Sequence, residues 1–199
     1  MRKLILIPTA IFLFTSPSYG QHLISFGVKG GVPLSDAFSD HTTTSVDLIT
    51  HSFSNSKNYV AGLMLELKLP FGFSAEADAL YRPLNLTVDN RVVPSFTSHL
   101  SEDVHSAEFP IVGKYHFLHA PLVSPYIEAG PIFRTVGASG SYLSNHGFTF
   151  GGGVDIKLLL LRVSPEIRYS RWAGDQPVTS FQAAPSNLNQ AEFLVGLSF

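Results

Sequence analysis

The sequence predicts an all-β chain, an eight-stranded antiparallel up-and-down transmembrane β-barrel. Three observations predict it. Eight segments alternate apolar and polar residues with a period of two. Within each segment the charged residues share one parity. The longest apolar run sits at the N-terminus, where it reads as a leader rather than as a spanning helix.

That leader, "MRKLILIPTAIFLFTSPSYGQH", opens on Arg2 and Lys3, runs apolar from Leu4 to Phe14, and ends in Ser18-Tyr19-Gly20. This is the pattern of a secretory signal peptide over residues 1–20, cleaved before Gln21. The run contains Pro8 and falls well short of the roughly 20 residues a membrane helix needs. Residues 21–199 are therefore expected to be one exported barrel domain. Charged residues make up 14% of the chain, against about 25% in soluble proteins, which fits a molecule with little water-facing surface. Without Arg2 and Lys3 the chain keeps 11 basic and 15 acidic residues, a net charge of −4. That balance gives no hint of nucleic acid, and no such partner is expected. With no cysteine, the fold forms without disulfides.

The eight segments fall near 23–34, 58–69, 73–84, 106–118, 125–136, 147–158, 161–172 and 190–199, each long enough for a tilted transmembrane strand. The connections 35–57, 85–105 and 173–189 are long, 137–146 is intermediate, and 70–72, 119–124 and 159–160 are short. Short periplasmic turns alternating with longer external loops produce this rhythm, and an even strand number puts both ends of the barrel on the periplasmic side.

Side chains two apart share a strand face. In order, the charged residues are Lys29; Glu66 and Lys68; Glu76, Asp78 and Arg82; Glu108 and Lys114; Glu128 and Arg134; Asp155 and Lys157; Arg162, Glu166 and Arg168; and Glu192. Only Arg171, at a strand end, breaks the parity. The opposite face reads Leu63, Leu65, Leu67 and Leu69 in one segment, and Phe148, Phe150, Val154 and Ile156 in another. A soluble barrel would turn that face inward, yet its water-facing exterior tolerates residues of every kind. A membrane barrel turns it to hydrocarbon, where a midplane Lys or Arg costs about 2 to 4 kcal/mol. Strict exclusion of charge favours lipid. Eight acidic and eight basic residues then meet in the lumen, where unpaired charge is far more costly than paired charge. Tyr59, Phe73, Tyr81, Phe117, Phe148, Tyr169 and Phe199 suit aromatic girdles at the two interfaces.

Eight strands enclose a space that side chains can fill, so the sixteen charged residues are expected to form an ion-pair network. A narrow path through the inward glycines Gly27, Gly31, Gly130, Gly151, Gly153 and Gly196 is the alternative, a pore for water or small ions. Pro110, Pro131 and Pro165 each remove a donor from the ladder. Bulges or lumen-side partners would both compensate.

"AEFPIVGKYHF" (107–117), "PYIEAGPIF" (125–133), "FGGGVDIKL" (150–158) and "SPEIRYSRW" (164–172), after "GVKGGVPL" (27–34), occur together in this order. In these motifs the chain resembles the outer membrane protein β-barrel domain family that includes PorT-like proteins. The resemblance spans nearly all of residues 21–199 and shares the strand prolines. It implies an eight-stranded barrel in a Gram-negative outer membrane, in contact with lipid and lipopolysaccharide, with no shared catalytic residues. Phe199 looks like the C-terminal aromatic signal that the barrel-assembly machinery reads.

No catalytic, cofactor or metal site is expected. Among eight histidines (His22, His41, His51, His99, His105, His116, His119 and His146) none are spaced as a zinc motif, and only His116 lies inward on a strand. Gly151, Gly152 and Gly153 precede no helix and form no phosphate loop. A lipid deacylase needs Ser, His and an acid grouped on the lipid-facing wall, and an acyltransferase needs an apolar lumen. Neither pattern is present. The connections 35–57 and 85–105 carry Asp36, Asp40, Asp47, Asp89, Glu102 and Asp103 against Lys57 and Arg91. They are expected to be external loops, either simply solvated or engaged with a surface ligand.

Overall fold

The structure is a computed structural model and describes residues 23–37, 41–44, 48–54, 59–92, 96–118, 120, 122–137, 143–158, 160–174 and 187–199. The expected signal peptide lies outside the described residues.

Ten strands follow in order: β1 (Ile24–Pro33), β2 (His41–Thr44), β3 (Leu48–Ser54), β4 (Val60–Lys68), β5 (Phe73–Val92), β6 (Phe96–His116), β7 (Val123–Val136), β8 (His146–Leu158), β9 (Leu161–Trp172) and β10 (Asn189–Ser198). Eight of them close a barrel. Each pairs antiparallel with its neighbour from β4 through β10 in chain order, and β1 joins β10 on one side to β4 on the other. The result is a closed, eight-stranded, up-and-down β-barrel.

The remaining two strands correct the expectation of loops at 35–57 and 85–105. β5 and β6 run past the barrel wall, paired to Val92–Phe96, and β2 and β3 form a hairpin that adds to the outer part of β5. The end of the barrel opposite the Pro70–Gly72 turn thus carries a sheet in the order β2-β3-β5-β6. "TTTSVDLITHSF" is rich in the Thr, Val, Ile and Phe that favour strands. Outside lipid nothing requires such strands to alternate, so the periodicity that marks the barrel strands is missing there.

At the other end the chain turns tightly. Pro70–Gly72 forms a single 3-10 turn between β4 and β5, with Phe71 at φ 64° and Gly72 at φ 82°. Gly72 adopts this left-handed geometry freely, whereas Phe71 does so at a cost.

The three prolines are accommodated without bulges. β5 and β6 bridge at Ala77–Ile111 and again at Leu80–Glu108, skipping the level of Pro110. β6 and β7 bridge at Pro110–Ile132 and next at Gly113–Ala129, skipping the level of Pro131. β8 and β9 bridge at Gly153–Glu166 and next at Ile156–Val163, skipping the level of Pro165. Both strands advance equally across each gap, so the register is unchanged. A Cβ on Gly130 would strike the carbonyl oxygen of Ile111, so glycine lets the strands close up beside the Pro131 gap.

Face assignment follows from exposure. Ile167 is 59% exposed while its neighbour Arg168 is 0% exposed. Phe26, Leu63, Leu65, Ile111, Ile127, Phe148 and Phe150 share the exterior, and Lys29, Glu66, Glu76, Glu108, Lys114 and Glu128 share the interior. A water-soluble barrel would have these two sets exchanged. This distribution is that of a barrel whose outer wall faces hydrocarbon.

Candidate functional site: the barrel lumen

Every barrel strand sends alternate side chains inward, and these meet in three layers. The central layer is made by Lys29 of β1, Glu76 and Asp78 of β5, Lys114 of β6, Glu128 of β7, and Glu166 and Arg168 of β9. Lys29 Nζ lies 2.6 Å from Glu76, 3.1 Å from Asp78 and 2.9 Å from Glu166. Lys114 Nζ is 2.6 Å from Glu76 and 3.6 Å from both Glu128 and Glu166. Arg168 reaches Asp78 at 2.9 Å, Glu128 at 2.8 Å and Glu166 at 2.9 Å. Tyr126 donates its hydroxyl to Glu166 at 2.6 Å, and its ring lies beneath Lys114. These pairs span the lumen from wall to wall. In a site this dry, charge-assisted hydrogen bonds are strong and an unmatched charge is severely penalised.

The layer nearest the β2-β3-β5-β6 sheet holds Arg82, Glu108, Arg134 and Gln190. Arg134 donates to Glu108 at 3.1 and 2.8 Å and to Gln190 at 2.8 Å, and its guanidinium stacks 3.7 Å from the Trp172 ring centre. Arg82 donates to Gln190 at 2.9 Å and to the Ser35 carbonyl at 3.1 Å. Ala37, Leu84 and Leu143 form a small buried apolar cluster, with Val136 packed against it.

The layer near the short turns is looser. Arg162 donates to Ser198 at 2.9 Å and to Asp155 at 3.2 Å, and pairs with Glu66. Asp155 also accepts from Ser164 at 2.6 Å and contacts His116 Nε2 at 3.1 Å. Below this floor opens a cavity of about 1120 Å³.

Thirteen of the sixteen charged residues named from the sequence form ion pairs here. The other three depart from that expectation. Lys68 is half-buried, Lys157 is exposed, and both line the cavity without an ion pair among the described residues. Each sits near the end of its strand, and the nearest carboxylates, Glu66 and Asp155, are paired with Arg162 instead. Glu192 is buried across the strand from Arg168, but it forms no ion pair among the described residues and its Oε1 has no hydrogen-bond partner. Arg168 is already committed to β5, β7 and its own strand.

Tyr126, Trp172 and Gln190 were missed because they are uncharged. Parity alone would have found them, since they share the faces of Glu128, Arg168 and Glu192. The carboxylates of Glu76, Glu128 and Glu166 approach within 4.8 Å of one another, near enough to hold a metal ion. Lys114 and Arg168 already neutralise them from between the strands. Their geometry is that of an ion-pair cluster.

No protein-family model and no curated protein matches the chain. The fold, however, has a solved counterpart. The outer membrane protein OprG from Pseudomonas aeruginosa aligns with 87% of this chain and 94% of its own, at a TM-score of 0.57 and 15% identity. At that identity the likeness concerns the barrel itself, and the lumen must be read from this chain's own residues.

Proposed function

We propose that the chain is a Gram-negative outer-membrane barrel with a closed lumen, serving as an envelope anchor that presents its external sheet for surface binding. The observation that carries this is the central layer, in which Lys29, Lys114 and Arg168 bridge strands on all sides of the lumen at 2.6 to 3.6 Å. The apolar exterior and the likeness to OprG support residence in the outer membrane, in contact with phospholipid and lipopolysaccharide. The motif order around "AEFPIVGKYHF" supports a place in the PorT-like family. Phe199, 71% exposed beyond the end of β10, is available to the assembly machinery.

Planar-bilayer recording of the refolded barrel tests the closed lumen. The expected result is an absence of steady conductance. A stable ohmic channel would replace this reading with that of a narrow pore for water or small ions. The surface-binding role is tested by deleting residues 38–54. Unchanged adhesion and envelope integrity in cells carrying the deletion would remove its support.

A further inference from the structure

The cavity near the short turns differs from the rest of the lumen in holding more cations than carboxylates, with Lys68, Lys157 and Arg162 against Glu66 and Asp155. Glu66 and Asp155, the carboxylates on its floor, are engaged by Arg162, and Asp155 by His116 as well. Lys68 and Lys157 line the same space with no carboxylate partner among the described residues. Lys157 moreover stands directly across the ladder from Arg162. Like charges in that position repel, and an anion beside Lys157 would relieve the repulsion. The rim is apolar: Phe71 is 88% exposed, Leu160 is 89% exposed, and Phe199 stands beside them. Phe71 holds its ring there from a left-handed backbone that a glycine would adopt more readily.

Positive groups inside a greasy rim, at the level where hydrocarbon gives way to water, complement a molecule with an anionic head and acyl chains. We propose that this cavity binds the headgroup of an anionic phospholipid, with its phosphate between Lys68 and Lys157 and its chains along Phe71, Leu160 and Phe199. The inference rests on membrane residence.

The test uses the refolded full chain in uncharged maltoside micelles, titrated calorimetrically with dihexanoyl phosphatidylglycerol, dihexanoyl phosphatidylcholine and inorganic phosphate. Phosphatidylglycerol is expected to bind at one per chain and at least tenfold more tightly than either other probe. The double variant Lys68→Gln/Lys157→Gln should lose at least tenfold in affinity, and Lys68→Arg/Lys157→Arg should stay within about threefold of the parent. Equal binding of the two lipids, equal binding of free phosphate, or an unaffected Gln variant would each overturn the proposal. Heat-shifted gel mobility after insertion into liposomes reports on the barrel separately. Failure to insert would sink the membrane reading, whereas insertion without lipid selectivity would sink the cavity alone.

Discussion

The middle of the lumen and its lower mouth are built from the same residue types, yet they differ in how charge is satisfied. At the centre, Arg168 and its partners are 0% exposed and each cation contacts two or more carboxylates. At the mouth, Lys68 and Lys157 reach water and have no such partners among the described residues. Depth explains the contrast, because water stabilises a lone ammonium at the mouth and is excluded from the crossing pairs above it. Charge at the centre therefore supports the wall, while Lys68 and Lys157 at the mouth contact no carboxylate among the described residues.

The sharpest way to break this contrast is Arg168→Met, which leaves Asp78, Glu128 and Glu166 short of a cation. A loss of about 3 to 5 kcal/mol is expected in guanidinium unfolding of the refolded barrel. An unchanged midpoint would mean that the central pairs are wet. Next, Ile111→Arg puts a charge on the lipid side of a central stretch of β6, at an expected cost of about 2 to 4 kcal/mol. The same substitution would be almost neutral if that face met water. Smaller still, Tyr126→Phe removes one charge-assisted hydrogen bond to Glu166, expected to cost about 1.5 to 3 kcal/mol in the same assay. Last, Lys157→Gln should leave the unfolding midpoint where it was, as for an unpaired group in water. A marked drop would show that the mouth, too, is structural.

The barrel was legible because lipid enforces the two-residue period: a charge such as Glu166 can face only one way, and Ile167 only the other. The same constraint exposes inward Tyr126 and Trp172 once parity is applied to uncharged residues. Beyond the membrane it lapses. Residues 41–54 and 85–105 read as loops because their Ser, Asp and Asn suggest turns, while pairing between β3 and β5 is a long-range property that no short window contains. Pairing choices in the lumen were equally hidden, since parity says that Glu192 and Arg168 face inward but not that Arg168 turns to other carboxylates.

The proline levels give the wall an uneven weave. Where Pro110, Pro131 and Pro165 sit, the seams β5/β6, β6/β7 and β8/β9 each miss a rung, whereas β9 and β10 are laced without interruption from Asn189–Arg171 to Ser198–Arg162. A missing rung leaves a carbonyl with no amide opposite, and hydrocarbon cannot solvate it. Deuterium should therefore enter the backbone first along those three seams, with the β9/β10 seam the last to yield.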